Sequence, residues 1–224
     1  MMAKLGTFLT AAFAVLLVLA APALAGDPDM VQDFCVADYK SLKGPLRLNG
    51  IPCKRPENVT AKDFFSSALA TPGNTANAVG SAVTAANVAV LPGLNTQGVS
   101  VSRIDFAPWG VNPPHVHPRA TEVIVVLQGS LDVGFVTTAN KLYARTVCQG
   151  GVFVFPRGLV HYQKNNGNTP AVVVSAFNSQ LPGTQSLAEA LFGATPAVPT
   201  YVLARTLQVD YGLVEALKSK FPPS

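Results

Sequence analysis

All three histidines of the chain lie in two short stretches, Gly110-Val-Asn-Pro-Pro-His-Val-His-Pro-Arg-Ala-Thr-Glu122 and Gly150-Gly-Val-Phe-Val-Phe-Pro-Arg-Gly-Leu-Val-His161. His115 and His117 stand two residues apart. On a β-strand this spacing puts both imidazoles on the same face. His161 follows the Pro-Arg-Gly turn of the second stretch, on a separate predicted strand. The two stretches therefore predict two strands that aim their histidines at one interior point.

Glu122 is the acidic residue of the same pattern. On one continuous strand Glu122 would lie on the face opposite to His115 and His117, because it is an odd number of positions away from each of them. It reaches the histidines only if the chain turns between residues 118 and 121, which Pro118 favours. Three imidazoles and one carboxylate suit a divalent first-row metal that keeps open positions, and they differ from the thiolate sites of structural zinc. Such a site admits superoxide dismutation, oxidation of a bound carboxylate, or hydrolysis through metal-bound water.

Short apolar runs separated by turn residues surround both stretches and predict strands. The apolar positions between residues 99 and 106 change phase, which predicts a bulge near Ser102. This rhythm predicts a mainly β chain folded as an antiparallel sandwich or barrel. The predicted strands are Val88–Leu91, Val99–Phe106, Glu122–Leu127, Leu131–Val136, Leu142–Val147, Val152–Phe155 and Ala171–Phe177.

Short helices flank the predicted barrel. Capping-box spacing predicts helices after Thr60 and Ser186, and others begin near Thr200 and Asp210, the last with Leu213, Leu217 and Phe221 on one face. Residues 71–85 predict a loop. We therefore divide the chain into a signal peptide (1–25), an N-terminal arm with a disulfide and a short helix (26–85), a β-barrel (86–180) and a C-terminal helical oligomerisation segment (181–224).

The N-terminus has the pattern of a secretion signal. Residues 8–21 are almost wholly apolar, and Ala23-Leu-Ala25 has the form of a cleavage site. A membrane anchor is the alternative, but the run is shorter than the ~20 residues that span a bilayer. Cleavage removes Lys4 and no acid, so the formal charge falls from +4 to +3. Without a run of basic residues this charge gives no support to nucleic-acid binding, and no membrane association is expected after cleavage.

Export exposes the cysteines to an oxidising compartment. Cys35 and Cys53 are then the natural disulfide pair, and Cys148 is left as a partly buried free thiol. Asn58-Val-Thr60 is a glycosylation acceptor sequence in the same polar segment, so Asn58 is predicted to carry a glycan.

These motifs resemble the two sequence boxes of the cupins. His115, His117, Glu122 and Gly129 match the first box, G-x5-H-x-H-x4-E-x6-G, with Trp109 in place of the opening glycine. The second box, G-x5-P-x-G-x2-H-x3-N, is matched throughout by Gly150, Pro156, Gly158, His161 and Asn165. Three further segments resemble the plant germins and germin-like proteins: Gln32-Asp-Phe-Cys-Val-Ala-Asp38, Pro113-Pro-His-Val-His-Pro-Arg-Ala-Thr-Glu122 and Phe177-Asn-Ser-Gln-Leu-Pro-Gly183.

The resemblance implies a cupin (jelly-roll) β-barrel with a manganese ion held by His115, His117, Glu122 and His161. It also implies an N-terminal disulfide, secretion to the apoplast or cell wall, and a homohexamer clasped by the C-terminal helices. Members of the family include oxalate oxidases, superoxide dismutases and nucleotide-sugar phosphodiesterases, so the expected ligand at the metal is a small oxygen species or a small acid. A role in plant defence is implied by the same resemblance.

Two residues upstream of the ligands bear on which activity is present. Oxalate-oxidising members hold their substrate with two asparagines, of which one matches Asn112 and the other is replaced by Ser102. A serine is shorter and offers a hydroxyl in place of an amide, so we expect weak or absent oxalate oxidation and favour manganese superoxide dismutation. A non-catalytic wall or receptor-binding protein with a structural metal is the alternative from a different class. No phosphate-cradling loop supports a phosphodiesterase.

Overall fold

The structure is a computed structural model that describes residues 32–41 and 51–222, so the predicted signal peptide lies outside the described residues. Within these ranges ten strands form two five-stranded sheets with antiparallel pairing, which confirms the predicted mainly β jelly-roll barrel. The strands are β1 (Ser81–Ala86), β2 (Ser100–Phe106), β3 (Val111–Val116), β4 (Glu122–Gln128), β5 (Ser130–Val136), β6 (Leu142–Cys148), β7 (Val152–Phe155), β8 (Val160–Asn165), β9 (Ala171–Phe177) and β10 (Gln185–Ser186).

The two sheets face each other across the interior. The first sheet has the order β1-β2-β9-β4-β7 and the second has the order β10-β3-β8-β5-β6. Their inner faces meet in one apolar cluster, in which side chains of both sheets are removed from water and stabilise the fold. The buried members of this cluster are Ile104, Phe106, Ile124, Val126, Leu131, Val133, Val147, Phe155, Ala171 and Val173.

The first two strands differ from the sequence prediction. Residues 81–86 form β1 where a loop was predicted. The backbone of this Ala/Ser/Thr-rich segment pairs with residues 101–106 of β2, and this pairing makes it a strand. Residues 88–90 form a turn instead of the predicted strand. The predicted bulge near Ser102 is also wrong, since β2 pairs in continuous register with both β1 and β9. Ser100 and Ser102 are the buried residues there, and Val99 and Val101 are exposed.

Strand β3 contains the irregularity that the Pro-rich motif requires. Its pairing with β8 shifts register between Asn112 and His115, where Pro113 and Pro114 provide no N–H group for a sheet. A turn at residues 118–119 then carries the chain into β4, in the opposite sheet. The predicted turn between residues 118 and 121 is therefore present, and it brings Glu122 to face β3.

Beyond β10 the chain is helical, with α1 at Leu187–Phe192, α2 at Thr200–Leu207 and α3 at Tyr211–Lys218. The side chains of Ser186 and Asp210 cap α1 and α3, as the sequence predicts. The buried residue of α3 is Val214, while Leu213 is exposed. Val214 therefore takes the place of Leu213 on the predicted apolar face, whose Leu217 and Phe221 are half-buried. None of the helices in the described ranges combines the length and apolar character needed to cross a membrane.

The described part of the N-terminal arm is held against the barrel. A disulfide joins Cys35 to Cys53, and Ala37 and Cys53 form an isolated antiparallel bridge. The buried Asn95 donates its side-chain N–H to the carbonyl of Ile51. Within the arm, residues Ala61–Phe64 form a short 3-10 helix, at whose start Thr60 and Asp63 make the predicted capping box.

Candidate metal centre

Four buried side chains converge at one end of the barrel interior. His115 lies on β3, His117 directly follows that strand, Glu122 begins β4 and His161 is the second residue of β8. One potential ligand atom from each of the four lies within 4.8 Å of the others. The structure thus brings together all four side chains that the sequence predicts as ligands.

The three imidazole rings are oriented by backbone carbonyl groups. The Nδ1 atoms lie 2.7 Å from the carbonyl oxygen of Pro113 for His115, 2.6 Å from that of Gly183 for His117, and 2.8 Å from that of Leu159 for His161. Because a carbonyl oxygen can only accept, each Nδ1 must carry the hydrogen. In the neutral ring the Nε2 lone pair then remains free. Metal-binding histidines commonly donate their other ring N–H to a backbone carbonyl in this way, which fixes the tautomer and the orientation of the ring.

Glu122 faces these lone pairs with one oxygen and is held through the other. Its Oε2 lies 3.0 Å from Nε2 of His161 and 3.2 Å from Nε2 of His117. Its Oε1 accepts a hydrogen bond of 2.6 Å from the buried hydroxyl of Ser175. Lone pairs and a carboxylate at this separation repel each other unless a proton or a cation lies between them. The donor set therefore fits a divalent cation bound by three nitrogens and one oxygen.

Burial and hydrogen bonding act in opposite directions on these groups. Burial disfavours the charged form of Glu122. With a proton between Glu122 and the facing Nε2 atoms, hydrogen bonds from His117 and His161, together with the one from Ser175, outweigh this and lower the pKa of Glu122 from 4.5 to about 2. Burial, and next the neighbouring ring of His161, lower the pKa of His115 from 6.5 to about 4. At neutral pH the cluster accordingly presents an ionised carboxylate and a neutral His115 ring.

Aromatic side chains close the inner side of the cluster. The ring of Phe155 stacks on His161 with centroids 4.5 Å apart, and the ring of Phe177 meets His117 edge-on at 4.8 Å. The backbone N–H of Gly158 donates to the carbonyl of His117, which ties the turns of the two motifs together. These contacts fix the rings and keep water from their inner side.

The outer side of the cluster opens into a cavity of about 350 Å³. Ser102 and Asn112, the substrate-facing candidates, both line it with His115, His117 and Glu122. The Ser102 hydroxyl is buried and has no hydrogen-bond partner among the described residues, whereas Asn112 donates to the side chain of Gln163 at 2.7 Å. Both candidates thus lie where they can contact a molecule bound beside the cluster.

Ser175 and Gln163 are site residues that sequence analysis missed. Gln163 lies two residues after His161, so the alternation of a strand already placed it on the inner face. Ser175 lies on β9 opposite Ile124, and its contact with Glu122 depends on how β4 and β9 pair. Strand alternation could have identified the first, but only the sheet topology identifies the second.

Three other predicted positions lie away from the cluster. Asn58 is exposed, as a glycan acceptor must be. Cys148 ends β6 with its side chain exposed, so the prediction of a partly buried thiol is wrong. Trp109, which stands where the cupin box has glycine, has a φ of 63° and is 59% exposed. This left-handed conformation explains why a glycine belongs there, and a tryptophan adopts it at a cost on the order of 1 kcal/mol.

A family model described as Cupin matches residues 67–214. Germin-like protein 1-3 of Oryza sativa subsp. japonica is 72% identical over 223 residues, which is 99% of both chains. Nectarin-1 of Nicotiana plumbaginifolia is 60% identical over 89% of this chain and 85% of that protein. Among solved structures, a recombinant oxalate oxidase in complex with glycolate is 50% identical, with a TM-score of 0.83 over 87% of this chain and 98% of that chain.

Proposed function

This chain belongs to the germin-like proteins of the cupin family, and we propose that it is a secreted manganese-binding protein of the plant cell wall that dismutes superoxide. The observation that carries the proposal is the convergence of three imidazole Nε2 atoms and one carboxylate oxygen beside an open cavity. We further propose that the protein acts in reactive-oxygen metabolism during plant defence.

Manganese is supported by the kind and number of donors. The set is nitrogen and oxygen without thiolate, and four protein ligands leave two positions free on a six-coordinate ion. Since the general order of affinities favours copper and zinc at such sites, the choice of manganese rests on family membership. The 50% identical oxalate oxidase structure supports a redox site with the same fold.

Dismutation converts two superoxide ions and two protons to dioxygen and hydrogen peroxide. A manganese ion held by these residues would supply the one-electron redox chemistry between its divalent and trivalent states. The protein holds the ligand set fixed through the three carbonyl contacts of the imidazoles and the Ser175 hydroxyl. The Phe155 and Phe177 rings keep water from the inner side, so small molecules reach the cluster from the cavity.

Oxalate oxidation is the second candidate, because an oxalate oxidase is the structural relative described above. The position of Ser102 argues against it. The side chain of Ser102 is shorter than the asparagine side chain found there in oxalate-oxidising members. Its hydroxyl also cannot donate and accept through separate atoms, as an amide can. We expect purified, manganese-loaded protein to release little hydrogen peroxide from oxalate. Robust oxalate-dependent peroxide would replace dismutation with this activity.

Secretion and assembly complete the proposal. The Cys35–Cys53 disulfide and the exposed Asn58 acceptor are suited to an exported protein. Large apolar side chains of α2 and α3, such as Tyr201 and Tyr211, are more than 60% exposed in the single chain. Contact between subunits would cover them, which supports a homohexamer. Light scattering on the purified protein measures the number of subunits.

The test of the activity compares wild type with His117→Ala and Glu122→Ala. Superoxide turnover and bound manganese are measured on the same samples. We expect about one manganese per wild-type chain with turnover, and loss of both in the variants. Metal-loaded wild type without turnover would favour the non-catalytic wall or receptor-binding alternative. A nucleotide sugar assayed in parallel tests the phosphodiesterase alternative, for which we expect no hydrolysis.

A further inference from the structure

The cavity beside the cluster is larger than superoxide requires. Its volume of about 350 Å³ corresponds to on the order of ten water molecules and lies in the range of small-molecule sites. His115, His117 and Glu122 line its inner end, and Val83, Ala85 and Leu181 line its outer end. The two ends differ in chemical character, and this difference defines the class of molecule that fits.

The inner end has two polar side chains, and one of them has no hydrogen-bond partner among the described residues. Ser102 is 2% exposed, and its hydroxyl makes no hydrogen bond although it lines the cavity. It pairs with Ser175, the residue that holds Glu122, on the neighbouring strand. Adjacent strands lie about 4.8 Å apart, so the Ser102 hydroxyl is within reach of a molecule bound at the cluster. Asn112 lines the same end and offers a second polar group.

The outer end is apolar. Val83 and Ala85 pair with Ile104 and Ser102, so their side chains lie on the inner face of the sheet. Because β1 is the edge strand, none of the residues that the structure describes covers this part of the face in the single chain, and Val83 is 54% exposed. Leu181 faces it from the segment after β9 and is 43% exposed. These side chains can shelter an apolar group of a bound molecule from water.

Charge limits the ligand further. A divalent cation with the single carboxylate of Glu122 and three neutral imidazoles has a net charge of 2 − 1 = +1, which matches one carboxylate. The described residues that line the cavity include no Lys or Arg. A second carboxylate at the outer end would therefore contact apolar side chains and find no cation among the described lining residues.

Resting on the manganese site proposed above, we propose that the cavity binds monocarboxylic acids that carry an oxygen on C2 and a short apolar side chain. The carboxylate lies toward the cluster and accepts a hydrogen bond from the Ser102 hydroxyl. The C2 oxygen lies toward the Asn112 amide. The apolar side chain contacts Val83, Ala85 and Leu181.

The test uses the full-length purified protein loaded with Mn(II), in which bound manganese and superoxide turnover are measured first. Glycolate, each enantiomer of lactate and each enantiomer of 2-hydroxybutyrate are titrated while the Mn(II) electron paramagnetic resonance spectrum is recorded. We expect the dissociation constant of the better enantiomer to fall about 4-fold for each added methylene group. A dissociation constant that stays constant or rises along the series overturns the proposal.

Variants locate the effect. Val83→Ser should reduce the gain per methylene to less than about 2-fold. Val152→Ser is the matched control, because Val152 is similarly exposed but pairs with Val125 on the outer face, and it should keep the full gain. Ser102→Ala should raise the dissociation constant of glycolate by about 10-fold, since a hydrogen bond to a charged group is lost. Unchanged glycolate affinity in Ser102→Ala contradicts the assigned role of the hydroxyl.

The controls separate this inference from the proposed function. A wild-type protein that binds no manganese contradicts both. A protein that binds manganese and dismutes superoxide but shows no preference for longer side chains contradicts only this inference.

Discussion

The barrel interior is divided into an apolar half and a polar half, and both are buried. In the apolar half, Leu131, Val133 and Ile124 have no solvent-exposed surface. In the polar half, Glu122 and His161 are each only 1% exposed. The apolar side chains pack against one another in a single cluster. The polar half instead directs lone pairs and a carboxylate at one point. Burial alone therefore does not distinguish a core from a site, whereas unsatisfied donors and acceptors do.

This difference assigns stability to one half and ligand binding to the other. Packing in the apolar half does not depend on any bound ion. In the polar half the same burial opposes charge, so a cation or a proton is needed to hold the groups together. Substitutions that act on one half alone test this division.

The largest effect is expected from removal of one predicted ligand. His161→Ala should reduce manganese affinity by more than about 100-fold, because loss of even an outer partner of a metal ligand costs 10- to 100-fold. Elemental analysis measures the metal, and far-ultraviolet circular dichroism should show an unchanged β fold. Near-stoichiometric manganese in the folded variant would show that His161 is not a ligand.

Leu131→Ala tests the apolar half. It should lower the free energy of unfolding of metal-free protein by about 2–5 kcal/mol, because the lost side chain leaves a cavity in a packed core. Urea denaturation measures the change. Leu142→Ala on the neighbouring strand is the control, since Leu142 is 52% exposed, and should change it by less than about 0.5 kcal/mol. Equal effects of the two substitutions would contradict the assigned core.

Acid should destabilise the metal-free protein through the polar half. The pKa of His115 is lowered to about 4, so between pH 6.5 and 4 the unfolded chain binds a proton that the folded chain does not. The free energy of unfolding should therefore decrease as the pH is lowered from 6.5 to 4, by on the order of 3 kcal/mol in total from this group. Glu122, with its pKa lowered to about 2, extends the loss in the same direction below pH 4.5.

Urea denaturation of metal-free protein at pH 7 and pH 4.5 measures this dependence. His115→Gln, which cannot take up the proton, should show a smaller loss between the two values. If the variant and the wild type lose the same free energy of unfolding, the dependence does not come from His115.

The smallest effect concerns two serines that pair across neighbouring strands. Ser175→Ala removes the hydrogen bond to Oε1 of Glu122 and should weaken manganese binding by about 10- to 100-fold. Ser102→Ala removes a hydroxyl that has no partner in the protein, so manganese affinity should change by less than about 2-fold. Metal-buffered titrations of both variants measure the contrast. Equal affinities would mean that Ser175 does not position Glu122.

Two failures of sequence prediction, at β1 and β2, lie where the polar half meets the cavity. The apolar pattern placed Val99 and Val101 inside, but Ser100 and Ser102 are the buried residues of β2. This strand lines the cavity at that point, so its inner face is polar and its outer face apolar. Strand β1 was missed for a related reason. Its Ala, Ser and Thr residues have little periodicity, and its pairing with β2 defines it.

The sequence by itself determined the mainly β class, most of the strands and the four side chains that gather at one end. These follow from local rules, because strand alternation and Pro/Gly turns are read from neighbouring residues. Only the tertiary structure decided that Ser175 holds Glu122 and that Ser102 faces the cavity without a partner. Both depend on which strands lie side by side and on which strand is at the sheet edge. Such long-range pairing is set by the packing of the whole barrel and leaves no signal in the local pattern.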